Sequence, residues 1–195
     1  MSAGIEALAP EAVERHRGAL IALLQDAVDS GASVGFLPPV SSDEAGAYWT
    51  SVAQAVAEGS RVLLVARDGA DAIVGSAQLD LALRPNARHR AEVAKVMVHR
   101  ATRRRGIGRA LMQALEDHAR RRGRTTLVLD TREGDPSEQL YRSLGWQFAG
   151  TIPRYAQSAG GALDGTAIYY KLLAPTESPP VIAGQTPRAS GARRA

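Results

Sequence analysis

The stretch from Val96 to Arg109 limits the fold of this chain more than any other. An apolar run, Val96-Met97-Val98, stops at His99, and a basic turn with Arg103, Arg104, Arg105, Gly106 and Gly108 follows. Apolar residues then recur at helical spacing through Ile107, Leu111, Leu115 and Ala119. Strand, glycine-containing turn and amphipathic helix in that order belong to an α/β layer architecture. The start of such a helix leaves backbone N–H groups unpaired and carries a partial positive charge, so it attracts phosphate. Glycines let the backbone approach an anion without a Cβ clash, and arginines add charge-assisted bonds. A dinucleotide fingerprint would need glycine where Leu111 stands, and a Walker loop would need Gly-Lys-Ser/Thr, which is absent. The plain alternative is a solvated, arginine-rich helix start.

The rest of the chain can be placed around this unit. Pro10 to Ser30 reads as one amphipathic helix, with Val13, Leu20, Leu23, Leu24, Ala27 and Val28 on its apolar stripe and Gly31 as the stop. A loop from Gly31 to Pro39 leads to a second helix, opened by Ser41 and Glu44 as a capping box and closed by Gly59. Strand-like runs follow at Arg61 to Arg67, Ala72 to Leu83 and Ala91 to His99, joined by short turns as in an antiparallel meander. After the helix from Gly106 to Arg122, a strand spans Thr125 to Thr131 and a short helix Ser137 to Leu144. Trp146 to Thr151 and Thr166 to Leu172 supply the last strands. Residues 1–173 form the expected domain, and residues 174–195, with Pro175, Pro179, Pro180 and Pro187, read as a disordered basic tail.

Composition removes several chemistries. There is no cysteine, which excludes disulfides, thiolate metal sites and a cysteine nucleophile. Acyl transfer, if it occurs, goes directly to the acceptor or through another nucleophile. The four histidines lie in different segments without ligand spacing, so no metal is expected. No run of eighteen apolar residues is present, so no membrane partner is expected, and the first ten residues lack a signal-peptide pattern; a cytoplasmic location is the default. The basic side chains are nearly all arginines, with Lys95 and Lys171 the exceptions.

Arg103, Gly106 and Gly108 fit an R/Q-x-x-G-x-G/A pattern, which resembles the coenzyme A pyrophosphate loop of the GNAT superfamily. Leu140-Tyr141-Arg142-Ser143-Leu144-Gly145-Trp146 resembles that superfamily's second signature, although Gly134 and Ser137 depart from the asparagine and alanine usual there. The runs 31–36, 90–98, 129–131 and 166–171 are similar to the tabtoxin-resistance acetyltransferase branch, and the likeness covers nearly all of residues 5 to 173. The resemblance implies a GNAT fold, a mixed and mostly antiparallel twisted sheet of about seven strands with helices on both faces. It implies acetyl-coenzyme A as co-substrate, held by Val96, Met97, Val98, Arg103, Arg104, Arg105, Gly106, Ile107, Gly108 and Arg109. It further implies a small-molecule amine as acceptor, such as a toxin or antibiotic, and a monomer or homodimer.

The chemistry of amide formation selects the remaining candidates. An alkylamine with pKa near ~10.4 is protonated at neutral pH, and freeing its lone pair costs about 4.6 kcal/mol, so a base is useful. The departing thiolate, of pKa near ~8.5, is quenched by a phenolic acid. The resemblance implies Tyr141, at the tyrosine position of the second signature, as the candidate acid, and a core tyrosine at helical spacing is the alternative. Glu92 and Asp130 stand out because each places a carboxylate in an otherwise apolar strand, where an unpaired charge is costly. The resemblance to the tabtoxin-resistance branch implies both as candidate bases acting through water where the two strands part. A salt bridge to Arg90 or Lys95 is the alternative for Glu92, and a capping role for Asp130. Phe36, Trp49, Asn86 and Tyr155 are weaker candidates for acceptor-pocket walls. Two other functions compete: acetylation of a protein N-terminus, and a nucleic-acid-binding module built on Arg103–Arg105, Arg120–Arg122 and Arg124. The second is disfavoured, since no aromatic stacking platform accompanies the arginines.

Overall fold

In the computed structural model, residues 3–174 are described, so the expected tail from Pro175 on lies outside the described residues. The elements are β1 (Gly4–Ala7), α1 (Pro10–Arg15), α2 (Arg17–Asp29), α3 (Ser42–Ala57), β2 (Arg61–Arg67), β3 (Ile73–Leu81) and β4 (Arg90–Val98), then α4 (Ile107–Arg121), β5 (Thr126–Arg132), α5 (Ser137–Ser143), β6 (Gln147–Gln157) and β7 (Leu163–Leu172). They build one seven-stranded sheet in the order β1-β2-β3-β4-β5-β7-β6. Only the β4–β5 pair is parallel; the others are antiparallel. No described helix is long and apolar enough to cross a membrane.

Alternation along the strands sends side chains to two cores. Val62, Leu64, Ala77, Leu79, Ala91 and Leu127 meet Leu111, Met112 and Leu115 of α4 on one face. On the other, Leu63, Val65 and Met97 meet Leu20, Leu24, Trp49 and Val52 of α2 and α3. Ser41 caps α3 as its spacing predicts, accepting from the Glu44 N–H at 3.1 Å.

The structure departs from the sequence reading in three places. The first helix is broken at His16, with φ −97° and ψ 10°, into α1 and α2. The His16 ring turns to the Arg67 guanidinium, 3.0 Å away. Apolar spacing runs across the break undisturbed, so the pattern reads as a single helix. Strand β1 was not foreseen: a largely exposed edge strand has no apolar alternation, and its pairing with β2 is reinforced by the Glu6–Arg67 ion pair at 2.6 Å. The last two strands are longer than expected, because β6 and β7 continue as a hairpin to Gln157 and Leu163 through register shifts in β6.

A buried ion pair ties α4 to the end of the sheet. Glu116 is 5% exposed and accepts from Lys171 Nζ on both oxygens at 2.7 Å, and from Trp146 Nε1 at 3.1 Å. Lys171 also donates to the Leu144 carbonyl at 2.6 Å. Removing that cation leaves the buried carboxylate only Trp146 and the longer 3.7 Å pair with Arg120, which costs more than the intact pair contributes. Lys171→Met is expected to lower unfolding free energy by about 3 kcal/mol in urea denaturation. Adding Glu116→Leu to it should recover most of that loss.

Candidate active site

The site is built where the sheet forks. β4 and β5 pair only at Arg90–Thr126, Ala91–Leu127 and Glu92–Val128. Beyond that point β4 stays with β3 as far as Val98, and β5 stays with β7 as far as Arg132. The inner edges of the two strands are therefore unpaired with each other from Val93 and Leu129 onward, and the edge through Val96, Met97 and Val98 lies open. A bulge shapes this edge: Ser76 opposes Met97 and Gln78 opposes Ala94, so β4 carries an extra residue against β3. Lys95 sits in the bulge with φ +51°, in the left-handed region that non-glycine residues avoid. The insertion reverses the side-chain alternation. Val93 faces α4, whereas Met97, four residues on, faces α2 and α3.

Glu92 and Asp130 share the α2–α3 face of the sheet, since Glu92 opposes Asp80 across β3 and Val128 across β5. Both are exposed at the fork. Lost hydration, then the charges of Asp130 and Asp80, raise the Glu92 pKa against the pull of Arg90 and Lys95. Neither carboxylate takes up the sequence alternatives: no ion pair forms between Glu92 and Arg90 or Lys95, and Asp130 caps nothing among the described residues. Asp80 is instead held by Arg61 through two bonds, one of 2.9 Å. Lys95 and Asp80 complete a charged cluster that sequence reading did not assemble. The signal for Lys95 was present, as a charge in an apolar strand like Glu92, but its placement depends on the bulge.

Tyr141 lies on the opposite, α4-facing side, 6% exposed, with its ring 6.1 Å from Tyr169 and 6.3 Å from Trp146. Its hydroxyl makes no hydrogen bond to the described residues and is not sealed from solvent. Burial first, then the charges of Asp130 and Asp135, push its pKa well up, so the phenol keeps its proton at neutral pH. Asp130 thus acts electrostatically on Glu92 from one side of the fork and on Tyr141 from the other. Helix α5 is fixed by Tyr169, whose hydroxyl donates to Glu138 and accepts from Arg142 at 2.9 Å.

The loop into α4 has the features that an anion needs. Backbone N–H groups from Arg103 to Arg109 donate to no described residue. Gly106 caps α4 with φ +81°, which only glycine adopts freely. Arg104 and Arg105 are exposed and have no partner among the described residues. Arg103 is committed elsewhere, donating to the Val98 carbonyl at 3.0 Å and to Ser30 Oγ, and Arg109 donates to Ser143 Oγ at 2.8 Å. Ile107 is buried in the α4 core, and Gly108 lies against Leu140, where an added Cβ would stand 3.3 Å from Cδ2. The free N–H run, the helix start and two unpaired arginines fit a diphosphate.

On the α2–α3 face, a cleft of about 280 Å³ opens between the loop before α3, the end of β5 and the β6–β7 hairpin. Phe36 and Arg132 line it, whereas Trp49 is wholly buried in the core. Asn86 and Tyr155 are exposed and are not among its lining residues.

Comparison with known proteins gives the class to which this fold and these candidate residues belong. Residues 15–146 match the Acetyltransferase (GNAT) family. An L-methionine sulfoximine/L-methionine sulfone acetyltransferase of Pseudomonas paraeruginosa is 31% identical over 83% of this chain and 91% of its own. That of Pseudomonas aeruginosa is 30% identical over the same shares. The ribosomal-protein-alanine N-acetyltransferase of Brucella melitensis superposes with a TM-score of 0.73 at 25% identity, covering 87% of this chain and 99% of that one. The phosphinothricin acetyltransferase of Sinorhizobium meliloti, solved with AcCoA, shares the fold at a TM-score of 0.72 and 20% identity, covering 91% and 95%. This chain belongs to the GNAT acetyltransferase family. It is an N-acetyltransferase with acetyl-coenzyme A as co-substrate.

The raised Glu92 pKa makes its ionisation a burden on the fold. Above the unfolded-state pKa the native protein holds the extra proton, so stability falls as pH rises through the folded-state value. Glu92→Gln, which cannot ionise, is expected to melt higher than the parent at pH 7, with the advantage shrinking toward pH 4. Equal melting shifts at both pH values would contradict this.

Proposed function

We propose that this enzyme transfers acetyl directly to the α-amino group of a small, polar amino acid of the methionine sulfone kind. The observation that carries the reading is the placement of Glu92, Asp130 and Tyr141 around one fork in the sheet, with the carboxylates on the cleft side. The two Pseudomonas relatives, each about a third identical over most of their length, supply the acceptor class. Acetyl-coenzyme A contributes the activated thioester, its diphosphate lying on the free N–H groups from Arg103 to Arg109. Val96, Met97 and Val98 offer the open edge of β4 alongside it.

The protons can be followed through the residues. The acceptor enters as an ammonium, and one proton passes through water to Glu92 or Asp130. The raised pKa of Glu92 brings it closer to that of the amine, which suits it to take up the proton. As the C–N bond forms and the C–S bond breaks, Tyr141 gives its proton to the sulfur. The second amine proton then restores the phenol. A protein N-terminus is the competing acceptor, favoured by the likeness to the Brucella enzyme.

A coenzyme-release assay separates the two. L-methionine sulfone and L-methionine sulfoximine are expected to be acetylated, and a short alanine-initiated peptide is not; the reverse pattern would sink the amino-acid reading. Tyr141→Phe is expected to lower kcat by roughly 10²–10⁴ with little change in cofactor affinity. Full activity in that variant would reduce Tyr141 to packing. Asp130→Asn removes a charge that raises the Glu92 pKa, so the rising limb of the pH–rate profile should move toward lower pH. Acetyl-coenzyme A at about a hundredfold over its Kd should stabilise the fold by roughly 2.7 kcal/mol, and Gly108→Asp should abolish that gain.

A further inference from the structure

Lys95 is poised for a ligand that the described protein does not provide. It is half-buried, yet its Nζ makes no hydrogen bond and no ion pair with any described residue. The contrast with the other lysine is sharp, because Lys171 bonds both oxygens of Glu116 and the Leu144 carbonyl. A half-buried ammonium without a partner is costly, and so is the left-handed backbone that holds it there. Such costs collect at sites that bind something.

The surroundings say what would be bound. Lys95 Nζ lies 5.9 Å from the centre of the Tyr48 ring. Gly35 comes so close that an added Cβ would stand 3.3 Å from Nζ, and Gly35 also lines the cleft. The charged groups acting on Lys95 are Asp130, Arg61, Asp80 and Glu92. Arg61 already holds Asp80, and that pair neutralises itself. What remains is a cation beside two free carboxylates, a charge pattern complementary to a zwitterion. We propose that Lys95 receives the carboxylate of the acceptor while Glu92 and Asp130 face its ammonium, so that the site selects α-amino acids over plain amines. This assignment rests on the amino-acid reading given above.

The test compares L-methionine sulfone with 3-(methylsulfonyl)propylamine, the same molecule without its carboxylate. The readout is the ratio of kcat/KM for the two, which is insensitive to the fraction of a variant that is folded. The parent enzyme is expected to prefer the amino acid. Lys95→Met should lower that preference roughly 10- to 100-fold, the scale of one charge-assisted bond, through KM rather than kcat. Lys95→Arg, which keeps the charge, should retain a large part of it. An unchanged ratio in Lys95→Met would overturn the assignment and leave the acceptor class standing. Loss of Lys95 also lifts the Glu92 pKa, so a merely electrostatic role would move the pH profile equally for both acceptors and leave the ratio intact. No turnover of either acceptor by the parent enzyme would overturn the acceptor reading and this assignment together.

Discussion

The parallel pairing of β4 and β5 ends after three residue pairs, and the site proposed above depends on that early end. Had the two strands stayed together, their inner edges would satisfy each other and the sheet would be a closed wall between its two faces. The fork leaves the inner edges of the two strands without each other's hydrogen bonds past Glu92 and Val128. In the proposed reaction, the carboxylates act from the α2–α3 face and Tyr141 from the α4 face. The bulge at Lys95 switches the strand's alternation, so that Val96 and Val98 pack toward α4 although Glu92 lies on the α2–α3 face.

A fork in a sheet is a weakness unless its two arms are held apart. On one arm, β3 pairs with β4 up to Val98, and α4 packs on β3 and β4. On the other, β7 pairs with the full length of β5, and Lys171 at its end clamps Glu116 of α4. Arg132 adds a bridge across the cleft mouth, donating to the Gly31 carbonyl at 3.1 Å and to Asp135 at 2.8 Å. Asp26 works at the same level, since Arg100 bonds it through both backbone N–H and side chain and so fixes the exit of β4 onto α2. Burial pushes the Asp26 pKa up, but those bonds and the charges of His99 and Arg100 outweigh it and leave it lowered.

Much of this could be read before the structure. Glycines and arginines after an apolar strand gave away the loop into α4, because the requirement for free N–H groups is local to the chain. Glu92 and Asp130 stood out because a charge interrupts an apolar run, and a run of that kind is visible in sequence. The fork itself was not visible as residues, because it is a matter of where pairing stops. Lys95 was legible as a charge but not as a site residue, since a bulge is set by register with β3. Arg103 could not be placed from its type alone: it suits phosphate, and here its guanidinium bonds Val98 and Ser30. The break at His16 and the edge strand β1 left no periodic trace at all.

The scarcity of lysine has a chemical meaning in a protein of this kind. An enzyme that holds an activated acetyl thioester against its own surface risks acetylating itself wherever an alkylamine can shed its proton. Lys95 and Lys171 are the only lysines in the chain; the second is locked in a buried ion pair and the first is half-buried in the fork. Every other basic residue of that class is arginine, whose guanidinium stays protonated and has no lone pair to offer. Lys95, whose burial lowers its pKa and so eases loss of its proton, is the exception; the arginine side chains are inert toward a thioester.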